Sequence, residues 1–391
     1  MKNIAYFHEF QKMYLYKDLF LIPYYIAKEQ GIDLDFCYSY NMANEQIPQE
    51  YRGVRLLSAG RERTNIITRS IDFFHFCTLR ARTIRTLFVA GVDNFIILQL
   101  LIIKCLNSKC KIVVFGDMEA DRAKELTKRD FVMSSGIKGL VKKQLVNLYF
   151  RNVIYTVAST TSYLLMKDMF KRNSWTNLVH IYPCLDKELF DAYGLSYRPF
   201  KKKENIILYV GRIGNYQKNT DMMLEAFTKV DFRDWKVFLI GPFTDSFFLK
   251  EKSSYEDTIK TYFANFPHLK KHVVFTGPIY NPKTIFEHYL QSKVFLLTSR
   301  HEGFANVQSE AAALGCFIVS TDVGGADLVS NNWRFGVKIE QNNADELANV
   351  LNNIIEGKVK IDESKRVPQE KFEYRSLIHE NLIPLLDNVW R

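Results

Sequence analysis

In the second half of the chain, short β-branched and aromatic runs alternate with stretches of helical period. The runs fall at 205–210, 236–240, 272–276, 294–298 and 317–320. Between and after them, apolar residues recur at helical spacing over 221–228, 255–265, 282–290, 306–314 and 344–355. Pro282 opens one of these stretches and Gly315 closes another, as helix ends prefer. Strand-helix alternation of this kind builds βαβ units on a parallel sheet. The first half is less regular. Strands are predicted at 3–7, 34–38, 54–57, 95–98, 111–115, 154–157 and 179–181, with an apolar helix over 19–29 closed by Gly31. It reads as a second wound sheet.

The segment 197–204 (YRPFKKKE) has a proline, three consecutive lysines and no apolar period, so it is the linker candidate. The expected organisation is a first domain over 1–197, a second over 198–370, and a C-terminal helix over 371–391. That helix is predicted to kink at Pro384 and to bury an apolar stripe of Leu377, Ile378, Leu382, Ile383, Leu385, Leu386 and Trp390, packing back toward the first domain. In wound sheets ligands sit at the carboxyl ends of the strands, which places a site in the cleft between two such domains.

Composition narrows the class. A chain of 391 residues, 47% apolar and 25% charged, is ordinary globular usage with room for two cores. The start carries Tyr6, His8 and Glu9 where a secretory signal needs an unbroken apolar run. The longest apolar run, 95–103, is broken by Gln99 and is too short to span a bilayer. A cytoplasmic protein is expected. The six cysteines contain no C-x-x-C and there is no H-E-x-x-H, so reduced core thiols and no protein-bound metal are expected. Residues 1–197 hold 27 Lys and Arg against 19 Asp and Glu, which leaves nearly all of the net charge of +10 in the first half. Such a balance points to an anionic partner: a nucleic acid, a membrane face or a substrate.

Two segments carry candidate chemistry. In the first, Gly211-Arg212-Ile213-Gly214-Asn215-Tyr216-Gln217-Lys218-Asn219, two cations lie six residues apart on a glycine-punctuated loop at a strand's carboxyl end. A phosphate can meet Arg212 as a planar fork and Lys218 as a point charge; a solvated turn is the plain alternative. The spacing matches neither a Walker loop nor G-x-G-x-x-G. In the second, Thr298-Ser299-Arg300-His301-Glu302-Gly303-Phe304-Ala305-Asn306, a strand leads through a tight turn into a helix. The backbone N–H groups at that helix start and the positive end of its dipole favour a diphosphate. Glu302 precedes the helix and Glu310 lies one turn inside it, and a carboxylate there can accept from two vicinal hydroxyls.

With these residues in view, the chain resembles the family 4 glycosyltransferases, two-domain α/β enzymes of the GT-B fold in which two Rossmann-like domains face each other across a cleft. The resemblance rests on Tyr209-Val210-Gly211-Arg212, Lys218-Asn219, Phe275-Thr276-Gly277, Ser299 to Phe304, Glu310-Ala311, Gly315 and Thr321 to Gly325, with the family's paired glutamates at Glu302 and Glu310. It covers about 205–355 well and the first half in outline. It implies retaining transfer of a sugar from a nucleotide-diphosphate sugar to a hydroxyl acceptor on a glycan or a lipid carrier, without an obligate metal or other cofactor. On that basis Arg212 and Lys218 neutralise the leaving diphosphate. Gly303, Phe304, Ala305 and Asn306 add N–H groups, Glu310 holds the ribose, and Glu302 holds donor-sugar hydroxyls near the reacting carbon. Gly211 lets the loop approach the donor, and Gly277 with Ile279 borders the base. Asp117, after a first-half strand, is the acceptor-side candidate, with a helix N-cap as its alternative role.

The chain also departs from the family. The loop 8–14 lacks the usual Gly-Gly, Pro183-Cys184-Leu185-Asp186 stands where many members have Asn-Gly before the hinge Asp, and Asp327 replaces a glutamate. Lys138, Lys142, Lys143 and Arg151 flank Leu140, Val141, Leu145, Leu148 and Phe150, an amphipathic stretch suited to the inner, anionic face of a membrane. A helix packed on its own sheet with its lysines in water is the other reading of that stretch. Other GT-B chemistry, such as nucleotide-sugar epimerisation, and a non-catalytic partner subunit remain as function classes. Nucleic acid is not expected, because the basic residues are not interleaved with aromatics in any recognised module.

Overall fold

The computed structural model describes residues 1–41, 46–60, 66–90, 94–116, 123–124, 136–243 and 255–387. The chain divides into two compact units, Met1–Pro183 with Tyr374–Arg391, and Cys184–Glu373.

The first unit is built on eight strands: β1 (Lys2–Phe10), β2 (Leu34–Asn41), β3 (Glu50–Tyr51), β4 (Val54–Ser58), β5 (Ile84–Ala90), β6 (Lys111–Phe115), β7 (Ile154–Val157) and β8 (Leu178–His180). Their order is β3-β4-β2-β1-β5-β6-β7-β8, parallel throughout except for the short β3. Continuous buried runs such as Ile4 to Phe7 and Ile112 to Phe115 mark strands covered on both faces. The helix Asp18–Gln30 ends at Gly31, whose φ of 62° supplies the left-handed cap that the sequence signalled.

One strand prediction is corrected. Residues 95–98 lie in the helix Asn94–Leu106, not in a strand. The apolar run there, 95–103, is as long as β1, so its length does not separate strand from helix. Wound as a helix it buries Ile96, Ile97, Leu100, Leu101 and Ile103, while Gln99 donates its amide N–H to the Ser70 carbonyl at 3.0 Å. The ladder position belongs to β5, which exposes Arg85 between buried neighbours and so hides its strand character.

The second unit has six parallel strands: β9 (Glu204–Val210), β10 (Lys236–Ile240), β11 (Val273–Gly277), β12 (Ser292–Leu297), β13 (Phe317–Thr321) and β14 (Gly336–Ile339). Their order is β11-β10-β9-β12-β13-β14. Numbered within the unit this is 3-2-1-4-5-6, the doubly wound order, and the direction of winding reverses between β9 and β12. The five helices expected here form, at Thr220–Phe227, Tyr255–Asn265, Pro282–Gln291, Asn306–Ala313 and Ala344–Ile355. Asn281 and Asn343 cap two of them by accepting from the N–H groups of Lys283 and Glu346. β14, four residues long and opened by a glycine, has no counterpart among the sequence-predicted strands.

The division falls at Pro183/Cys184, not at the 197/198 boundary expected from the sequence. Residues 184–204 are fastened into the second unit. The Leu185 N–H donates to the Phe372 carbonyl at 2.8 Å, and the Phe190 ring meets Phe286 at 5.7 Å. Tyr197 donates its hydroxyl to Glu363 at 2.5 Å. Lys203, buried in spite of its charge, donates to the Tyr289 and Leu290 carbonyls at 2.7 and 3.1 Å. The linker-like composition therefore conceals a segment pinned at several points. The C-terminal stretch forms two short helices, Tyr374–Asn381 and Ile383–Asp387, with the break just before Pro384. The first packs on Asp18–Gln30, with the Tyr25 and Tyr374 rings stacked at 5.6 Å and Arg375 3.3 Å from Glu29.

All six cysteines are free, and only Cys105 is exposed. Among the described residues no helix is long and apolar enough to cross a membrane, and no cluster of His, Cys, Asp and Glu is arranged to hold a metal.

Candidate functional site

The candidate site lies at the carboxyl ends of β9 and β12, where the winding of the second sheet reverses. The loop after β9 begins on Tyr209, which is fully buried and donates its hydroxyl to the Arg212 carbonyl at 2.7 Å. Gly211 and Gly241 allow the β9 and β10 loops to touch: a Cβ on Gly241 would stand 1.9 Å from the Gly211 carbonyl oxygen. Gly214 N–H donates to Thr220 Oγ1 at 2.8 Å, and the Asn215 carbonyl accepts from Lys218 and Asn219 N–H at 3.1 and 3.2 Å. The loop thus winds into the helix Thr220–Phe227 on its own hydrogen bonds.

The segment after β12 laces this loop from the side. Thr298 Oγ1 makes a bifurcated contact to the Lys218 and Asn219 carbonyls at 2.9 and 3.1 Å. Arg300 donates its N–H to the Gln217 carbonyl at 2.8 Å and its guanidinium to the Tyr216 carbonyl at 2.5 Å, with the guanidinium 4.3 Å from the Tyr216 ring centroid. The turn after β13 closes the floor. Thr321 Oγ1 donates to the Ser299 carbonyl at 2.7 Å, and Gly325 packs so tightly on Phe304 that a Cβ there would lie 2.0 Å from the ring.

On this frame the charged side chains form one connected chain. Exposed Arg212 donates to Gln217 Oε1 at 2.7 Å. Gln217 Nε2 donates to Glu302 Oε2 at 3.2 Å and to the His301 carbonyl at 3.1 Å. Lys218 Nζ lies 2.5 Å from Glu302 Oε1, and Ser299 Oγ donates to the same oxygen at 2.6 Å. The Lys218 and Glu302 side chains are 12% and 8% exposed, a nearly buried ion pair.

Directly after Glu302, the segment Gly303-Phe304-Ala305 leads into the helix Asn306–Ala313, whose N-cap Ala305 supplies no side-chain cap. The Gln308 N–H donates to the Ala305 carbonyl at 2.9 Å, and no side chain caps the N–H groups ahead of it, the kind of donor an anion meets. Glu310 stands one turn inside this helix, next to the fully buried Tyr289. Burial, and after it the negative charge of Glu310, pushes the Tyr289 phenol well above its ordinary range. Burial likewise pushes up Tyr209, close to Glu302 and Arg212, so both phenols stay neutral.

Of the residues named from the sequence, Gly211, Arg212, Lys218, Glu302, Gly303, Phe304, Ala305 and Asn306 therefore belong to this one switch point, with Glu310 a turn away. Gly277 ends β11 and Ile279 follows it, half-buried, two strands over, at roughly 10 Å for two inter-strand spacings. Asp117 lies outside the described residues. Sequence reasoning missed Gln217, Ser299 and Arg300, which hold the charged groups in place. Gln217 adjoins Lys218 in sequence, but its partner Glu302 is 85 residues distant.

Residues 197–371 match the family model described as Glycosyl transferases group 1. That stretch is similar to a group 1 glycosyl transferase domain. A relative, the amylovoran biosynthesis glycosyltransferase AmsD of Erwinia amylovora, is 32% identical over 135 residues, and the alignment spans 34% of this chain and about a third, 34%, of that protein. Among solved structures, the lipopolysaccharide outer core galactosyltransferase WaaB in its apo form superposes with a TM-score of 0.64 at 15% identity, covering 97% of this chain and 98% of that one. Anabaena Alr3699/HepE, solved in complex with UDP and glucose, gives 0.61 at 14% identity with both chains covered completely. The fold of the chain, two Rossmann-like units, is that of the GT-B glycosyltransferases.

Proposed function

We propose that the protein is a retaining glycosyltransferase that moves a hexosyl group from a nucleotide-diphosphate sugar to a hydroxyl acceptor in surface polysaccharide or glycolipid assembly. The observation that carries this reading is the hydrogen-bonded chain Arg212, Gln217, Glu302, Lys218 at the β9/β12 switch point, beside the uncapped start of Asn306–Ala313. Transfer leaves negative charge on the departing diphosphate and positive charge on the sugar ring. Arg212, Lys218 and the N–H groups from Gly303 to Asn306 stabilise the first, and Glu302 lies where it can face the second. Two protein cations take the part a divalent ion plays elsewhere, so no metal or other cofactor is required. Glu310 accepts from the ribose hydroxyls, Gly277 and Ile279 border the base, and Asp117 serves the acceptor side. The similarity to a polysaccharide glycosyltransferase, and the UDP and glucose in the Anabaena neighbour, support the donor class.

The acceptor on this reading is a glycan or a lipid-linked glycan, met at the cytoplasmic face of an anionic membrane. The helix Gly136–Asn152 supports this. Val146, Tyr149 and Phe150 are buried, while Leu140, Val141, Leu145 and Leu148 are 37% to 61% exposed. At 100° per residue these four fall in one outward arc of about 140°, with Arg151 on the same face and Lys143 beside it.

The test is transfer or donor hydrolysis with a panel of UDP-, GDP- and ADP-sugars, with the anomeric configuration of the product read by NMR. Retained configuration with at least one donor is expected. Inversion refutes the retaining assignment, and inactivity with every donor, together with no nucleoside-diphosphate binding, refutes the whole. Flotation with phosphatidylglycerol-containing vesicles is expected to exceed that with phosphatidylcholine alone; equal flotation refutes the membrane part.

A further inference from the structure

We infer that Gln217 is the positioning residue that sets Arg212 against Glu302, so that it governs turnover and not donor capture. This rests on the glycosyltransferase reading given above. The amide has only one orientation that its neighbours accept. Arg212 offers donors alone, and it meets Oε1 at 2.7 Å; the Glu302 carboxylate and the His301 carbonyl offer acceptors alone, and they meet Nε2 at 3.2 and 3.1 Å. Of the described hydrogen bonds, those of Gln217 alone join Arg212 to Glu302, whereas Lys218 meets that carboxylate directly.

The backbone of Gln217 is anchored as firmly as its side chain. Its N–H donates to Asn215 Oδ1 at 3.0 Å, and its carbonyl accepts from the Arg300 N–H at 2.8 Å. A side chain rooted on both sides does not travel with a ligand. It fixes an angle instead: Gln217 takes one donor of the Arg212 fork and leaves the others free to turn toward an anion. On Glu302, Lys218 and Ser299 occupy Oε1 while Gln217 steadies Oε2, the oxygen left with room for a sugar hydroxyl. Misalignment of groups that act only in the transition state lowers kcat more than it changes KM.

The experiment is steady-state kinetics on Gln217→Ala, Gln217→Asn and Gln217→Glu, each also made in the Glu302→Gln background, with melting temperatures as the control for folding. Gln217→Ala is expected to lower kcat about 10- to 50-fold, the scale of one charge-assisted hydrogen bond, with donor KM changed less than threefold. Gln217→Asn, too short to span both partners, follows it. Gln217→Glu falls further, because a carboxylate then faces Glu302. In the Glu302→Gln background, Gln217→Ala costs less than threefold, because the group it positions has already lost its charge. An unchanged kcat, a loss wholly in KM, or the same factor in both backgrounds overturns the role of Gln217 while leaving the glycosyltransferase reading standing. A wild-type protein that turns over no nucleotide sugar overturns both.

Discussion

Glu302→Gln puts the Lys218–Glu302 pair under direct test. The two charged atoms are 2.5 Å apart and both side chains are nearly buried. At an effective permittivity of about 20 their attraction is about 7 kcal/mol, set against a desolvation cost of several kcal/mol per ion. Truncating one member of such a pair costs about 3–5 kcal/mol, and the glutamine recovers part of that by still accepting from Ser299 and Lys218, so a loss of about 2 kcal/mol in stability is expected. The consequence for binding has the opposite sign. In the resting protein Glu302 engages one of the three Lys218 donors and competes with a diphosphate for the ammonium charge. The variant removes that competitor, so nucleoside-diphosphate affinity is expected to rise about tenfold, or 1.4 kcal/mol, while transfer falls about 100-fold for want of the sugar contact. Titration calorimetry with UDP, GDP and ADP, initial transfer rates and urea unfolding give the three quantities. If the variant folds and its nucleotide affinity is unchanged or lower, Glu302 does not compete with a diphosphate for Lys218, and the trade inferred at this lysine is wrong.

Lys218→Ala and Glu310→Ala are each expected to lower transfer by about 100-fold or more, measured as product formed at saturating acceptor; wild-type rates in both would end the site assignment. Transfer is expected to persist in excess EDTA, and a loss restored by Mg²⁺ would show that protein cations do not suffice. Replacing Leu145 and Leu148 by serine is expected to reduce flotation with anionic vesicles without lowering the melting temperature, because both side chains already face solvent. His288 is held below its ordinary value of 6.5, chiefly by burial, so the unfolded chain binds a proton there more readily than the folded one. Stability is therefore expected to fall as pH drops through and below about 6.5, by at most about 1.4 kcal/mol per pH unit from this group, and His288→Gln should flatten that slope in urea titrations at pH 5 to 7.

Most of the second sheet was readable because β9, β12 and β13 are buried nearly throughout and so appear as apolar runs, and because its helices announce their ends with Asn281, Pro282, Asn343 and Gly315. The first sheet was harder. Residues 95–98 have the composition of a strand and belong to a helix, since only the neighbouring ladder decides which segment takes the slot beside β1, and β5 takes it. The segment 197–204 looks like a linker because its lysines dominate its composition, yet Lys203 is buried on two carbonyls that no local pattern reveals. In the site, Arg212, Lys218, Glu302 and Glu310 were legible as charges out of place on loops and helix starts. Gln217, Ser299 and Arg300 were not, because their roles exist only once β9 and β12 are side by side.

That adjacency explains why charges 84 residues apart meet at all. In a 3-2-1-4-5-6 sheet the first and fourth strands are neighbours whose following connections leave in opposite directions, which opens a crevice between the two loops. A long loop carrying cations into such a crevice would be mobile unless tied down. Here the ties run from the far side: Thr298 grips the carbonyls of Lys218 and Asn219, and Arg300 grips the carbonyls of Tyr216 and Gln217. The backbone that bears the cations is thus held by the segment that bears the carboxylate, and the two cannot drift independently. For chemistry that separates charge along one bond this matters more than the number of cations, because preorganised groups lower the barrier without reorganising as the bond breaks. Loss of Arg300 is therefore expected to resemble loss of Gln217: Arg300→Ala should lower kcat by about tenfold with little change in donor KM. A loss confined to KM would show that these ties serve capture of the donor and not alignment for transfer.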